Sequence, residues 1–281
     1  MGAVSGAELA GLLEAATARA RASGALEPIE TRSTVVEDEG VRFVVRVVEG
    51  LRRKAAASVG GAAGFNPFLP YDPAMFVGEV SGTHVGLLNK FPVLPVHLLL
   101  VTRAFESQAA PLGRADLEAL AVGLQAVDGL GFYNGGEVAG ASQGHKHLQV
   151  VGLPLAEGEV GVPMEVVFGG EAKGLVREAP FRHGRVLLGE VDWSDAVGAG
   201  AAMLAAVERL RSVLWWGGEV GAYNLLATRR WVAMVPRSRE RFEGISVNAL
   251  GFAGALLVKR EEDVERVRRC GPMTALRGLA S

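Results

Sequence analysis

Residues 82–105, GTHVGLLNKFPVLPVHLLLVTRAF, set two apolar runs of strand length on either side of a turn, and Pro92 and Pro95 keep a single helix or unbroken strand from running through. An antiparallel pair is the simplest way to bury both runs. A second segment of similar form, YNLLATRRWVAMVPRSRE at 223–240, lies in the other half of the chain. The two together predict an α+β protein with an antiparallel sheet and flanking helices, built from two related halves in one compact unit. With 281 residues, 49% of them apolar, the chain can bury a core of that size.

Leu9, Leu12, Leu13 and Ala16 recur at helical spacing, predicting a helix over 7–23. The β-branched run VRFVVRVVEG predicts a strand over 41–50. Glycines and prolines over 55–73 predict a long loop. Leu117, Leu120, Ala121, Leu124 and Val127 share one face of a helix expected within 111–130. GFYNGGEVAGASQG, 131–144, reads as a glycine-punctuated loop, and 145–154 as a strand. A strand near 185–191, a helix over 195–213, and a last strand followed by a charged final helix ending near Cys270 complete the pattern.

Lys and Arg number 29 against 31 Asp and Glu, a net charge of −2, which argues against a nucleic-acid binder. One cysteine makes no internal disulfide and no multi-cysteine zinc site, so a cytoplasmic setting is expected. The first residues lack the basic cap and continuous apolar run of a signal peptide. No stretch reaches the roughly 20 apolar residues of a membrane span, and no membrane association is expected.

The chemistry concentrates in GASQGHKHLQ, 140–149. On a strand, His145, His147 and Gln149 point to one face, and Lys146 and Leu148 to the other. Just upstream, Gly140, Ala141, Ser142, Gln143 and Gly144 bring backbone N–H groups and two polar side chains to where phosphate oxygens could sit, and Asn134 could join them. A bland strand face has no need of two imidazoles, an amide and a glycine loop within ten positions. Three functional readings compete. Zinc would use the HxH spacing but needs further ligands, for which only His84, His97, His183, carboxylates and distant Cys270 remain. A serine-hydrolase elbow, G-A-S-Q-G, requires a helix after Ser142 and a histidine far downstream, and neither is read here. Nucleophilic attack by a neutral imidazole on phosphorus, its other ring nitrogen donating to a carbonyl, uses the most residues. Asn89, Lys90 and the Arg52–Arg53–Lys54 run supply polar and cationic groups that could stabilise a polyphosphate leaving group. No Walker loop is present.

These residues, with NPFLPYDP (66–73), LNKFPVLPVHLLLVTRAFESQAAPL (88–112), FYNGG (132–136), YNLLATRRW and GISVNALGFAG, resemble the diadenosine tetraphosphate phosphorylases, or ATP adenylyltransferases, of the histidine-triad superfamily, relatives of galactose-1-phosphate uridylyltransferase. The resemblance spans about 41–258. It implies a catalytic half over 41–155 and a C-terminal half, 156–281, that completes a nucleotide site. His147 would carry AMP as a covalent adduct while ATP leaves, inorganic phosphate would release ADP, and Gln149, in place of the third histidine, would bond the transferred phosphoryl group. Asn134, Ser142 and Gln143 would hold the α-phosphate. Lys54, Asn89 and Lys90 would meet nucleotide and outer phosphates, Asn224 and Arg230 would complete the site, and His145 would orient the loop. The resemblance implies no organic cofactor and no structural zinc; magnesium enters only as a companion of the polyphosphate. A hydrolase using water as acceptor, or a non-catalytic adenine-nucleotide module, are the alternatives. Oligomeric state is not read.

Overall fold

The computed structural model describes residues 4–48, 66–156, 158, 161–168, 180–216 and 218–280. Helix α1 (Gly6–Ala22) is capped by Ser5, whose hydroxyl accepts the Glu8 N–H at 3.2 Å. There follow β1 (Thr31–Asp38), β2 (Val41–Val48), β3 (Phe76–Glu79), β4 (His84–Leu88), β5 (His97–Thr102), α2 (Arg114–Ala126), β6 (Gly129–Gly135), β7 (His147–Gly152), β8 (Gly184–Leu187) and α3 (Ala196–Leu214). The chain ends with β9 (Tyr223–Ala227), β10 (Trp231–Pro236), β11 (Arg241–Phe242), β12 (Ile245–Ser246), α4 (Ala249–Phe252), β13 (Ala255–Val258), α5 (Glu261–Cys270) and α6 (Pro272–Leu279). No helix among the described residues is long and apolar enough to cross a membrane.

An eight-stranded antiparallel sheet, ordered β3-β4-β5-β7-β6-β9-β10-β8, forms the frame. Both proline- or arginine-turned segments fold back as expected, His84 opposite Thr102 in one and Val232 opposite Ala227 in the other. Period-two alternation then sorts the faces. Leu148 and Val150 of β7 pack with Leu98, Leu100 and Leu225 beneath α1, α2 and α3. On the opposite face Val151 joins Phe132, Leu226 and Val235 under a small second sheet, β1-β2-β13, and helices α5 and α6. Each fully buried leucine contributes roughly 1.5–3 kcal/mol. The α+β expectation holds.

Two local expectations are corrected. The segment 131–144 is not all loop: β6 occupies its first five positions and is the sheet's central strand, pairing β7 on one edge and β9 on the other. Its glycines serve close approach, since a Cβ on Gly131 would lie 2.8 Å from Leu120 Cδ1. The helix ending at Cys270 is not the last, because Gly271, at φ 80°, turns the chain into α6 with Pro272 in its first turn. Of the expected loop over 55–73, residues 66–73 are described, and they lead into a 3-10 turn at Pro73–Met75.

Candidate active site

His147 begins β7 where that strand parts from β6. Its Nδ1 lies 2.9 Å from the carbonyl oxygen of His145. A carbonyl only accepts, so Nδ1 carries the proton and Nε2 the lone pair, which is the form a nucleophilic imidazole needs. The ring tilts against Phe68, centroids 5.1 Å apart, and His147 is 5% exposed. Its backbone is held by Gln108, which sequence reasoning missed. The Gln108 amide oxygen accepts the His147 N–H at 2.8 Å, while its nitrogen donates to Asn134 O at 2.9 Å and His147 O at 3.2 Å.

His145 is neutral in the opposite tautomer. Its Nε2 donates to the Thr102 carbonyl at 2.8 Å, and its Nδ1 faces the Asn66 amide nitrogen at 2.9 Å. Burial lowers its pKa despite that carbonyl bond. On the reverse face Lys146, 3% exposed, donates to Asp116 at 2.7 Å and to Glu106 at 3.1 Å. Burial opposes charge on Asp116, but hydrogen bonds from His84, the Gly113 N–H and Lys146 outweigh it and hold the carboxyl below its usual range. The His-Lys-His segment is thus anchored on both faces.

The glycine loop adjoins them. Gly136 and Gly140 adopt φ 90° and 85°, and a Cβ on Gly140 would sit 2.7 Å from Val247 O, so the GISVNALG segment packs directly against the loop. Gly140 N–H and Ala141 N–H are used within the turn, on Glu137 O and Gly136 O. Within the described residues no hydrogen bond takes the N–H groups of Ser142, Gln143 or Gly144, and Ser142 and Gly144 are exposed just upstream of His147. Such a run of N–H groups can receive phosphate oxygens. A strand follows Ser142, not the helix of a serine-hydrolase elbow.

The remaining sequence-selected residues fall in three places. Asn134 and Asn224 are buried beneath the loop: Asn134 Oδ1 accepts from Asn224 Nδ2 and from Ala249 N–H, each at 2.9 Å, and Asn224 also donates to Ala139 O at 2.8 Å. Arg237, also missed, donates to Asn224 Oδ1 and lies over the Phe252 ring at 5.0 Å; burial pushes its pKa down to about 10. Asn89 and Gln149 both meet His97, Asn89 Nδ2 at 3.1 Å from its Nδ1 and Gln149 Oε1 at 2.8 Å from its Nε2. Lys90 pairs with Glu27 at 3.4 Å and is half-exposed. Arg230 is not brought to His147. It lies in the β9–β10 turn and pairs with Glu165 at 2.7 Å, beyond the Gly129–Gly152 end of the sheet. His147 lies at the other end, roughly 17 Å away at about 3.3 Å per residue. Lys54, Arg52 and Arg53 lie outside the described residues.

An apolar wall of Phe68, Val85, Leu87, Leu99 and Val101 flanks His147 on this face, with Tyr71 stacked on Phe76 at 5.2 Å beside it. Among the described residues no three His, Cys, Asp or Glu side chains converge to hold a metal ion.

Comparison with known proteins accords with this geometry. Residues 3–170 match the sequence model of the Ap4A phosphorylase N-terminal domain, and 177–281 that of the ATP adenylyltransferase C-terminal domain. The chain is 31% identical over 235 residues, 72% of its length and 71% of the relative's, to diadenosine 5',5'''-P1,P4-tetraphosphate phosphorylase 2 of Saccharomyces cerevisiae. The crystal structure of yeast Ap4A phosphorylase Apa2 in complex with AMP superposes with a TM-score of 0.78 at 25% identity, covering 98% of this chain and 96% of that one. The Ap4A complex of the same yeast enzyme superposes with a TM-score of 0.76 at 23% identity, over 99% and 98%. An imidazole whose Nδ1 is held by a carbonyl on a central strand, after a glycine loop, therefore sits in a chain that belongs to the Ap4A phosphorylase family.

Proposed function

We propose that this protein catalyses the reversible phosphorolysis of diadenosine tetraphosphate to ATP and ADP. His147 Nε2 forms a bond to the α-phosphorus of one adenosine as the bond from that phosphorus to the bridging oxygen breaks, and ATP departs with the electron pair. The positive charge left on the imidazole is shared with Nδ1–H, which the His145 carbonyl stabilises. An oxygen of inorganic phosphate then attacks the same phosphorus, the N–P bond breaks, and ADP leaves. Two inversions retain configuration. In this reading the N–H groups of 142–144 receive the α-phosphate oxygens, Gln149 bonds the phosphoryl group, and the Phe68 wall accepts an adenine. Magnesium travels on the polyphosphate, no organic cofactor or structural zinc takes part, and the working environment is the cytoplasm.

The observation that carries the proposal is the His147 tautomer: a carbonyl-held Nδ1–H presents Nε2 beside the glycine loop. The test combines product analysis with intact-protein mass. Diadenosine tetraphosphate should be cleaved only with phosphate present, isotope from phosphate should enter ADP, and an AMP adduct should accumulate without phosphate in the native chain but not in His147→Ala. Equal turnover without phosphate would make the protein a hydrolase, and nucleotide binding with no adduct would make it a binding module.

A further inference from the structure

Two asparagines set the tautomers of two histidines in this site by the same device. In Asn66–Pro67–Phe68 and again in Asn89–Lys90–Phe91, the asparagine Oδ1 accepts the N–H of the phenylalanine two residues on, at 3.0 and 3.1 Å. That bond removes the usual ambiguity of an amide's orientation, because the oxygen is committed to the backbone and only the NH2 can face the ring. Asn66 Nδ2 meets His145 Nδ1 at 2.9 Å. Asn89 Nδ2 meets His97 Nδ1 at 3.1 Å, the shorter of its two contacts with that ring, the other being 3.5 Å to Nε2. An NH2 only donates, so Nδ1 of His97 accepts and Nε2 carries the proton. His97 Nε2–H then donates to Gln149 Oε1 at 2.8 Å. A chain of polarity runs from the Phe91 N–H through Asn89 and His97 to Gln149, each link determined by the one before. His97 stands opposite Val151, next in the ladder to the Leu99–Gln149 pair, and is 8% exposed, so the relay lies within the sheet face that carries His147.

We propose that His97, held by Asn89, is a positioning residue for adenylyl transfer: it turns the Gln149 carbonyl away from the reaction and presents the Gln149 NH2 as a donor to the transferring phosphoryl group. The proposal rests on the reaction proposed above and adds to it the sign of the Gln149 interaction and the residues that set it. A freely rotating carboxamide could offer its oxygen to the phosphoryl group, where two electron-rich oxygens repel; the relay removes that rotamer. Charge develops on the phosphoryl oxygens during transfer, so the effect belongs to the transition state more than to substrate binding.

The test is a mutant cycle read in kcat, with the tautomers read separately by long-range 1H–15N correlation of the imidazoles. His97→Phe removes the donor and should lower kcat on the order of 100-fold, with KM nearly unchanged. His97→Gln, whose amide can accept from Asn89 and donate to Gln149, should recover most of that loss. In a Gln149→Ala background His97→Phe should have little further effect, since its action passes through Gln149. In the unliganded native chain the spectra should show His97 protonated on Nε2 and His147 on Nδ1. Independent, multiplicative losses from the two substitutions, or an Nδ1-protonated His97, would overturn the proposal. Absence of phosphate-dependent turnover in the native chain would instead overturn the reaction, and the tautomer of His97 would still decide the orientation of Gln149.

Discussion

Gln108 does with a side chain what a neighbouring strand does elsewhere in the sheet. Where β7 parts from β6, its carboxamide takes the N–H and C=O of His147 and the C=O of Asn134, and it is 2% exposed. Gln108→Leu would take from the buried His147 N–H and C=O the bonds they make with this carboxamide, at about 1–3 kcal/mol each, while the Asn134 C=O keeps the Gly136 N–H at 2.9 Å. Urea denaturation should show a loss of several kcal/mol, and kcat should fall further than KM rises, because the residue released is the proposed nucleophile. Nothing in FESQAAPL distinguishes this glutamine from one on the surface, so it was not legible in the sequence. His145, His147 and Gln149 were, because period-two alternation beside a glycine loop assigns them one face. Asn134 was selected as a polar residue beside the glycine loop and Asn224 through the family resemblance, but that they would meet each other depends on the pairing of β6 with β9. Titration is argued at the same scale. Burial pushes both His145 and His183 below the ordinary imidazole range, despite hydrogen bonds to carbonyls. The unfolded chain binds protons at about pH 6.5 that the folded chain excludes. Stability is therefore full above that pH and declines as pH drops toward the depressed folded values. His183 lies between Phe168 and Phe181, with Nε2 buried and unpartnered among the described residues. His183→Phe should flatten part of the decline in Tm between pH 6.5 and 5; an unchanged slope would assign the acid sensitivity elsewhere.

Among the secondary-structure elements, β6 is the one whose character the sequence hid. GLGFYNGG reads as a turn by composition, yet its glycines are what two close neighbours demand. A Cβ on Gly129 would lie 2.0 Å from the Val151 carbonyl oxygen, a backbone atom bonded into the β6–β7 ladder that cannot retreat without breaking it. Glycine propensity is a local signal, and the approach of β7 is not, so the strand could be found only in three dimensions. The same reasoning separates two substitutions of identical chemistry. Gly129→Ala should cost about 3 kcal/mol, measured as a lower urea midpoint with unchanged slope. Gly11 in α1 is exposed with nothing within 4 Å of its added Cβ. Gly11→Ala should stabilise by about 0.5–1 kcal/mol, since alanine loses less backbone entropy in a helix. Equal effects at the two positions would show that strand contact is not what selects glycine in β6.

Across the whole molecule, two sequence families meet in a single sheet. The match to residues 3–170 ends before β8, while β8, β9 and β10 fall within the match to 177–281, yet β9 pairs with β6 over five residues in the centre of the frame. The repeated strand-turn-strand pattern predicted two such units; it carried no information on which strands would join them, because register between strands ninety residues apart is set by packing and not by local pattern. The join also runs through the site, where Asn224 of one segment bonds Asn134 of the other beneath the glycine loop. Residues 4–170 expressed alone would expose the β6 edge together with Leu130 and Phe132, which in the intact chain pack with Leu226, Trp231 and Val235. Residues 177–281 alone would leave β9 without its partner. Neither segment should therefore show a cooperative melt or dispersed amide spectra by itself. The intact chain should melt in one calorimetric transition with equal calorimetric and van't Hoff enthalpies. A folded 4–170 segment with its own transition would mean that the β6–β9 seam is an interface between separately stable domains, and that the loop support supplied by Asn224 is added after the N-terminal segment has folded.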